Sequence, residues 1–358
     1  MSATVQIGDL TFPRAWAASG ARNFFDEGWP HHRLLGPFKP NFRGSTFVTK
    51  TATWAARSGN MPLTGNLRPK RMFPDCVVVD FRKGYVLNAV GLSNPGITYL
   101  AQSTNWVTRT EPFVISLAAP CPSIEAQLYE FEQMARMLWE AMPGRVKYAI
   151  EVNWSCPNTE HDPAAHIAAV PRVLSVIAQR CPGRPIIVKV SPTLPTFMIQ
   201  AIAEHVRCDA ISLTNTIPWG AYRDVIDWKK LFGTDESPLA RYGGGGLSGE
   251  PIFYFAAALT KILRQRGVTK PIIAGGGVLH RWQAKWLLDV GANAVSLGSV
   301  AILRPWRVAG LIDYINDERV QPEDRPRFDE SIRMRQRHSA WYRVHRARME
   351  LDETEGTP

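Results

Sequence analysis

A recurring pattern of short apolar runs constrains the fold of this chain more than any other feature. Each run is β-rich, ends at a polar residue or a glycine, and is often followed by a helical pattern. Most of the runs are continuously apolar rather than alternating, which is typical of parallel strands that are covered on both faces. Eight such runs occupy residues 14–19, 45–50, 112–117, 148–153, 185–190, 210–215, 271–276 and 294–299.

The segments between these runs show helical periodicity. Residues 124–142 place apolar side chains at helical spacing, and Ser123 precedes them as a candidate N-cap. Eight strands that alternate with helices predict an α/β fold, a closed (β/α)8 TIM barrel. An open, doubly wound sheet is the main competing arrangement. Further helices are predicted for residues 163–180, 196–206, 250–266 and 281–290.

Two segments depart from this alternation. Residues 52–92 carry proline, glycine and basic residues, and we expect a hairpin and loop excursion over the active-site end of the barrel. The chain after residue 310 is charged and has a helical pattern. The predicted organisation is therefore a barrel over residues 1–310 and a basic helical C-terminal extension over 311–358, packed on the barrel or projecting from it.

The net charge of +10 is concentrated near the C-terminus, where six arginines lie within residues 333–348. We find no nucleic-acid-binding motif beside this charge, so nucleic-acid binding is disfavoured. A solvated helix face, or a docking surface for an acidic partner, is the favoured interpretation. A homodimer and an electron-transfer partner subunit both remain open.

Targeting features and cysteine usage indicate a cytoplasmic protein. The N-terminal residues lack the basic and apolar regions of a signal peptide. No window approaches the roughly 18 apolar residues of a membrane-spanning helix, so no membrane association is expected. The five cysteines are odd in number and scattered, which argues against a disulfide framework or a zinc site and suits a reducing compartment.

Polar residues and glycines mark the points at which the predicted strands end. In a barrel of this type the functional residues cluster at that face, because the loops after the strands build the site. A lysine buried there must be paired with an anion or lose its charge. The strand-end residues are Ser19, Lys50, Ser116, Asn153, Lys189, Asn215, Gly275, Gly276, Gly277, Gly298 and Ser299.

Three glycine-rich loops lie in the last third of the chain, at residues 242–250, 274–278 and 297–299. Such loops let backbone N–H groups approach a phosphate, and the loops after strands 7 and 8 are the usual phosphate site of a barrel. The alternative is that these glycines only form tight turns. Their clustering at the last two predicted strands favours a phosphate-bearing ligand.

Nine short motifs, in order along the chain, resemble those of the dihydroorotate dehydrogenases, a family of FMN-dependent barrels. The resemblance spans roughly residues 5–303, and its specificity comes from the joint agreement of all nine motifs. The motifs are AASG (17–20), TKT (49–51), NAVGLSNPG (88–96), VNWSCPN (152–158), VKVSP (188–192), TNTIP (214–218), GGLSG (245–249), GGG (275–277) and LGS (297–299).

The resemblance implies an oxidoreductase that acts on a CH–CH group, with FMN as cofactor and a small pyrimidine as substrate. Lys189 matches a lysine near flavin N1 and O2, where a fixed cation stabilises the charge of the reduced ring. The residues that match substrate contacts are Lys50, Asn88, Val90, Gly91, Leu92, Asn153, Asn158, Asn215 and Thr216. Those that match cofactor contacts are Ala18, Ser19, Gly20, Lys50, Thr51, Arg57, Ser116, Asn153, Lys189, Thr214, Ser248, Gly249, Gly276, Gly277, Gly298 and Ser299.

Cys156 and Lys50 are the catalytic residues that the resemblance implies. Cys156 matches the base of class 1 members, whereas class 2 members carry serine at that position. It would remove the C5 proton of (S)-dihydroorotate while a hydride passes from C6 to flavin N5, giving orotate in pyrimidine biosynthesis. A thiol with an ordinary pKa of about 8.5 is a workable base at slightly alkaline pH. The other four cysteines are predicted to be inert.

Some positions depart from the family pattern. Trp154 and Trp219 have no usual counterpart, and they either narrow the pocket or simply pack. Arg57 keeps the spacing of an arginine beside FMN, and Arg71 is the candidate for a second one. The loop after the VNWSCPN motif is short, and its histidines, His161 and His166, are interpreted as solvated.

Three alternatives remain open. A relative of dihydropyrimidine dehydrogenase would keep the flavin and act on uracil or thymine, although Asn158 stands where those relatives carry histidine. A lyase or aldolase would use Lys50 or Lys189 as a Schiff-base nucleophile. A flavin-bearing interaction protein would bind through the arginine-rich tail. The electron acceptor is also open between fumarate, a nicotinamide reached through a partner iron–sulfur flavoprotein, and another oxidant.

Overall fold

A curled sheet of seven parallel strands forms the centre of the structure, a computed structural model that describes residues 3–154, 169–321 and 332–355. The strands in chain order are β1 (Thr4–Ile7), β2 (Leu10–Pro13), β3 (Ala15–Ala17), β4 (Val77–Asp80), β5 (Tyr85–Asn88), β6 (Phe113–Leu117), β7 (Tyr148–Asn153), β8 (Ile186–Lys189), β9 (Ala210–Leu213), β10 (Ile217–Pro218), β11 (Gly246–Gly249), β12 (Ile272–Gly275) and β13 (Ala294–Leu297). The parallel sheet runs in the order β3, β13, β12, β9, β8, β7, β6.

Residues 46–52 close this sheet by pairing with β3 on one side and β6 on the other. The N–H of Ala17 donates to the carbonyl of Thr46 at 2.9 Å, and the N–H of Ala52 donates to the carbonyl of Ser116 at 2.9 Å. Isolated parallel bridges join Trp16 to Thr46 and Ala52 to Leu117. The segment therefore takes the place of the missing strand, and the predicted closed TIM barrel is confirmed.

Helices cover the outside of the barrel. Ser123 caps the longest of those between strands, because its hydroxyl accepts from the N–H of Ala126 at 3.2 Å, as the sequence predicts. The predicted helix 163–180 begins at Val170 within the described residues; its first part lies outside them. The α-helices are α1 (Ile97–Ala101), α2 (Thr104–Val107), α3 (Ile124–Ala141), α4 (Val170–Arg180), α5 (Thr196–Glu204), α6 (Trp228–Phe232), α7 (Phe253–Gln265), α8 (Arg281–Asp289), α9 (Val300–Leu303), α10 (Val308–Asn316) and α11 (Ile332–Glu355).

The barrel interior is divided into an apolar and a polar layer. Alternate residues of a strand point to the same side, so the next inward position along each strand is two residues further on. The hairpin β1–β2 joins the apolar layer, which closes the end where the strands begin. The apolar layer contains Trp16, Val48, Val114, Ala149, Ile187, Ala210, Ile273 and Ala294. The positions two residues later carry Lys50, Ser116, Glu151, Lys189, Ser212 and Ser296.

The excursion predicted for residues 52–92 contains the expected hairpin, β4–β5. This hairpin continues through β11 and β10 into a four-stranded antiparallel sheet that the sequence did not reveal. Asn88 lies opposite Gly246, and Tyr85 lies opposite Gly249. The second sheet thereby fixes the excursion to the loop after β9 and to the glycine segment before α7.

The charged tail forms helix α11, which packs on the barrel through α5 and α7. Trp341 and Val344 are buried, and the ring of Trp341 lies 5.9 Å from that of Trp286 in α8. Arg348 is also buried, and Asp352 forms an ion pair with Arg266 at 2.7 Å. The division into a barrel over 1–310 and an extension over 311–358 stays a prediction.

Candidate active site

Lys50 lies at the mouth of the barrel and is almost fully buried. Its ammonium group donates to the carbonyl of Ser93 and lies 5.2 Å from the centre of the Phe24 ring. Burial lowers the pKa of Lys50 to about 7, and the neighbouring Cys76 thiol acts in the opposite direction. A lysine held so close to neutrality regains its charge readily when an anion binds beside it.

Hydroxyl groups and a carboxylate form a hydrogen-bonded chain across the polar layer. The hydroxyl of Thr51 lies 3.0 Å from that of Ser19 and 2.9 Å from that of Ser116. Ser116 in turn donates to the Glu151 carboxylate at 2.8 Å, and the side-chain amide of Asn153 donates to Thr51 at 3.3 Å. Sequence reasoning missed Glu151, although it is the sole charged residue inside the apolar run 148–153.

The asparagines of two further strand ends join the same network. The Asn215 amide donates to the Asn153 carbonyl oxygen at 3.1 Å, and the Asn215 carbonyl oxygen accepts from the N–H of Thr216 at 2.9 Å. Lys189 is the register partner of Asn153 on the adjacent strand. These four residues are half-buried, so a ligand in the mouth of the barrel can reach them.

The loop after β5 lies against this mouth. Gly91 and Leu92 both adopt left-handed backbone conformations, with φ of 70° and 58°. A Cβ on Gly59 would lie 2.5 Å from the carbonyl oxygen of Val90, so glycine is needed where the two loops cross. The loop is joined to the barrel through the bond between Lys50 and Ser93. Asn88, at the start of the loop, is half-buried.

The glycines after β11 and β12 are in close backbone contact. A Cβ on Gly277 would lie 2.2 Å from the carbonyl oxygen of Gly249, and a Cβ on Gly249 would lie 2.3 Å from that of Gly84. Gly249 and Gly277 also have φ of 101° and 70°, which disfavour any side chain. These glycines therefore bring three backbone segments together, which is more than a tight turn requires.

Some backbone N–H groups of these glycine loops have no protein acceptor. Within the described residues, the N–H groups of Gly276, Gly277 and Gly298 donate to no protein acceptor. Ser299 follows directly at the start of α9. Amide donors without protein acceptors on adjoining glycine loops are what a phosphate requires, so the cradle that these loops form fits a phosphate group.

Four more of the predicted cofactor contacts border the cradle or the network. Ala18 lies under Gly298, whose added Cβ would be 3.1 Å from the Ala18 side chain, and Gly20 lies beside the Lys50 side chain. The hydroxyls of Thr214 and Ser248 donate to backbone carbonyls at 3.3 and 3.1 Å, respectively. The peptide bond before Thr214 is cis.

Several predicted residues are not brought into this assembly. The side chain of Arg57 is exposed while its backbone pairs with Asn94, and Arg71 is exposed and forms an ion pair with Asp75. Others lie outside the described residues, namely Cys156, Asn158, His161 and His166.

Both unusual tryptophans have packing partners. Trp154 is buried and stacks on Phe131 with ring centres 6.2 Å apart. Trp219 packs 4.7 Å from the rings of Trp228 and Phe232. The contacts place Trp154 toward α3 on the outside of the barrel, because β7 residues next to the inward-facing Asn153 point the other way.

The described cysteines outside the site are shielded from chemistry. Burial raises the pKa of Cys181 to about 11 and that of Cys208 to about 12, so both remain thiols near neutral pH. Cys76 is buried and Cys121 half-buried. Over residues 3–154, 169–321 and 332–355 no cluster of potential metal ligands occurs, and no helix has the length and apolarity to cross a membrane.

Comparison with known proteins gives a consistent result. A family model described as dihydroorotate dehydrogenase matches residues 43–317. The chain is 28% identical to the catalytic subunit of dihydroorotate dehydrogenase B (NAD(+)) from Desulforudis audaxviator, over 86% of this chain and 89% of the relative. It is 32% identical to a putative dihydroorotate dehydrogenase A (fumarate) from Pediococcus pentosaceus, over 60% of this chain and 66% of the relative.

A solved structure supports the fold. The crystal structure of a dihydroorotate dehydrogenase from Eimeria tenella in complex with ferulenol superposes with a TM-score of 0.59. The match covers 87% of this chain and 83% of that chain at 18% sequence identity. At that identity the likeness carries the barrel architecture alone.

Proposed function

The chain belongs to the dihydroorotate dehydrogenase family, and from this premise we propose that it oxidises (S)-dihydroorotate to orotate with FMN as its resident cofactor. One observation carries the proposal above all: a near-neutral lysine, an asparagine network and a glycine cradle converge on one mouth of the barrel. An oxidoreductase acting on the CH–CH group of a pyrimidine uses all three features.

The glycine cradle would hold the phosphate of FMN through backbone donors. The hydroxyls of Thr51 and Ser116 in the polar layer would help to hold the flavin ring. Lys189 would hold positive charge beside the pyrimidine edge of the flavin ring. When bound, FMN supplies the acceptor for the hydride that leaves the substrate. The residues that would contact the phosphate are Gly249, Gly276, Gly277, Gly298 and Ser299.

The asparagines would hold the substrate ring. A cyclic imide presents alternating donors and acceptors, and an amide side chain offers both. Asn153 and Asn215 already pair with each other through one donor and one acceptor, which fixes the orientation of both amides. Asn88 and Asn158 would complete the set, and Lys50 would pair with the substrate carboxylate.

Cys156 would act as the base that removes the C5 proton. It lies three residues after the strand end at Asn153 and two before Asn158, so one short motif carries a thiol and two amides. A cation beside the thiol would lower its pKa and make it a better base near neutral pH.

An anaerobic titration tests the proposal. The FMN-loaded protein should be yellow, and dihydroorotate should bleach it stoichiometrically in the absence of oxygen. Flavin that stays oxidised under excess dihydroorotate would refute the substrate assignment, and bleaching by dihydrouracil would transfer it to another dihydropyrimidine. The Cys156→Ala variant should bind orotate, but dihydroorotate should reduce its flavin slowly. Reoxidation with fumarate, or with a nicotinamide through a partner, then identifies the electron acceptor.

A further inference from the structure

Helix α11 lies beyond the family-matched residues 43–317 and inserts a buried arginine into the barrel wall. Arg348 has no exposed surface. One end of its guanidinium group donates to the carbonyl of Pro192 and to the hydroxyl of Tyr222. The other end donates to the carbonyl of Leu194 at 2.7 Å and to the hydroxyl of Thr196 at 2.9 Å.

Three of the four acceptors of Arg348 belong to two loops at the mouth of the barrel, and the fourth, Thr196, is the first residue of α5. Pro192 and Leu194 follow β8, which ends at Lys189. Tyr222 follows the segment that contains Asn215 and Thr216. The Tyr222 hydroxyl also donates to the Pro192 carbonyl at 2.6 Å, so the two loops meet directly over the guanidinium group. Arg348 therefore ties the strand end that carries the lysine to the loop that carries the asparagine.

A second contact from the same helix fixes the first turn of α5. Asp352, also buried, accepts from the N–H of Thr196 at 2.6 Å and pairs with Arg266 of the α7 end. Helix α11 thus cannot slide by one turn without losing both the Arg348 and the Asp352 contacts. The attachment is specific in register, unlike the exposed pair of Arg346 and Glu350 on the outer face.

The shape of the guanidinium group makes this contact sensitive to loop position. A guanidinium group is planar and donates in fixed directions, and leaving its buried donors unpaired is costly. Its acceptors are the carbonyls of Pro192 and Leu194 and the hydroxyls of Thr196 and Tyr222. A shift of either loop would therefore break charge-assisted hydrogen bonds, which are about twice as strong as neutral ones.

We propose that Arg348 is a positioning residue, which holds the loops after β8 and β9 in the arrangement that the substrate requires. The inference rests on the proposed function, because it gives the tail helix a role in binding the pyrimidine. Arg348 touches neither substrate nor cofactor. It acts through the loop that carries Asn215 and Thr216, whereas Lys189 is held within the sheet by its pairing with Ser212.

The Arg348→Met variant tests this role against Arg346→Met, a matched control two positions away on the exposed face. Arg348→Met should raise both the KM for dihydroorotate and the Kd for orotate on the order of tenfold, because small misplacements of binding groups are costly. Flavin content should be retained. Arg346→Met should match the wild type. A lower melting temperature with unchanged KM and Kd would overturn the proposal and leave a purely structural attachment.

A second variant covers the case in which Arg348→Met does not fold. Tyr222→Phe leaves Arg348 in place and removes the barrel hydroxyl that bonds both the guanidinium group and the Pro192 carbonyl. It should raise the KM for dihydroorotate and the Kd for orotate by a smaller factor than Arg348→Met does. An unchanged KM and Kd in this variant would also count against the proposal.

Hydrogen–deuterium exchange separates this proposal from the proposed function. Peptides that cover residues 190–194 and 214–222 should exchange faster in Arg348→Met than in the wild type or Arg346→Met. If dihydroorotate fails to reduce the flavin of the wild type, the proposed function is wrong. The exchange rates of these peptides would still show whether Arg348 holds the two loops. Unchanged exchange in both peptides would overturn the positioning role.

Discussion

Lys50 is buried, which lowers its pKa, and the neighbouring Cys76 thiol acts in the opposite direction without offsetting that effect. The flavin-free protein therefore holds this lysine at a cost, since its pKa is about 7 rather than the ordinary 10.5. Below the folded value the group is charged in both folded and unfolded chains, and the desolvation penalty applies in full. Above it, the folded state releases the proton while the unfolded chain keeps it.

We expect the stability of the flavin-free protein to rise with pH from about 7 toward 10.5, because over this range the unfolded state binds more protons at Lys50. Lys50→Met should be more stable than the wild type at pH 6 and below, about one unit under that folded pKa. The difference in free energy of unfolding between Lys50→Met and the wild type should shrink as the pH rises. Urea unfolding across this pH range measures the difference, with the exposed Lys147→Met as control. Parallel curves for wild type and Lys50→Met would contradict the expectation.

At the residue scale the sequence predicted the site where polar side chains stand out at strand ends. Lys50, Asn153 and Asn215 were identified in this way, and the structure brings Asn153 and Asn215 into contact. Glu151 was missed because it lies two positions before the strand end, where a continuous apolar run was the dominant signal. The place of Glu151 in the network becomes visible through the hydrogen bond that Ser116, on the neighbouring strand, donates to its carboxylate.

The glycine loops act as complete elements, since each supports the next through backbone contact. Gly84 packs under Gly249, and Gly249 under Gly277. A side chain at Gly249 or Gly277 would displace a backbone segment rather than a flexible neighbour. The consequence reaches the amide donors at Gly276 and Gly277, whose directions depend on that stacking.

Gly277→Ala should therefore weaken FMN retention and also lower stability. Its Cβ would lie 2.2 Å from the Gly249 carbonyl oxygen at a φ of 70°, and overpacking of this kind costs about 1–3 kcal/mol. Gly144→Ala is the control, because its added Cβ meets nothing within 4 Å and its φ is not in the left-handed region. Equilibrium FMN binding and urea unfolding measure both effects. An FMN affinity equal to that of the wild type would remove Gly277 from the cradle.

At the element scale local pattern predicted the barrel strands but not the second sheet. Burial on both faces leaves a continuous apolar run, so the predicted strand 148–153 matches β7 residue for residue. The strand predicted at 210–215 ends earlier, at Leu213, because its polar last residues join the site. The pairing of β5 with β11 joins residues 158 positions apart, as in the contact of Asn88 with Gly246. Separation of this size leaves no trace in local periodicity.

At the scale of the whole molecule, the barrel interior has a polar layer at the mouth and an apolar layer at the end where the strands begin. The apolar layer and the β1–β2 hairpin supply burial at the end where the strands begin. The mouth instead contains a buried lysine, a buried carboxylate and unpaired amide donors. Polar groups of this kind cost free energy until a ligand satisfies them. Binding of the cofactor is therefore expected to be coupled to global stability.

Comparison of FMN with riboflavin tests this coupling and assigns it to the phosphate cradle. A ligand that binds only the folded state stabilises it by RT ln(1 + [L]/Kd), about 2.7 kcal/mol at a hundredfold excess over Kd. FMN should reach this value in urea unfolding of the intact chain. Riboflavin at the same concentration should stabilise much less, because it lacks the phosphate that the amides of Gly276, Gly277 and Gly298 would bind. The difference in stabilisation between FMN and riboflavin should disappear in Gly277→Ala and persist in Gly144→Ala. Equal stabilisation by the two ligands in the wild type would mean that the glycine loops do not hold the phosphate.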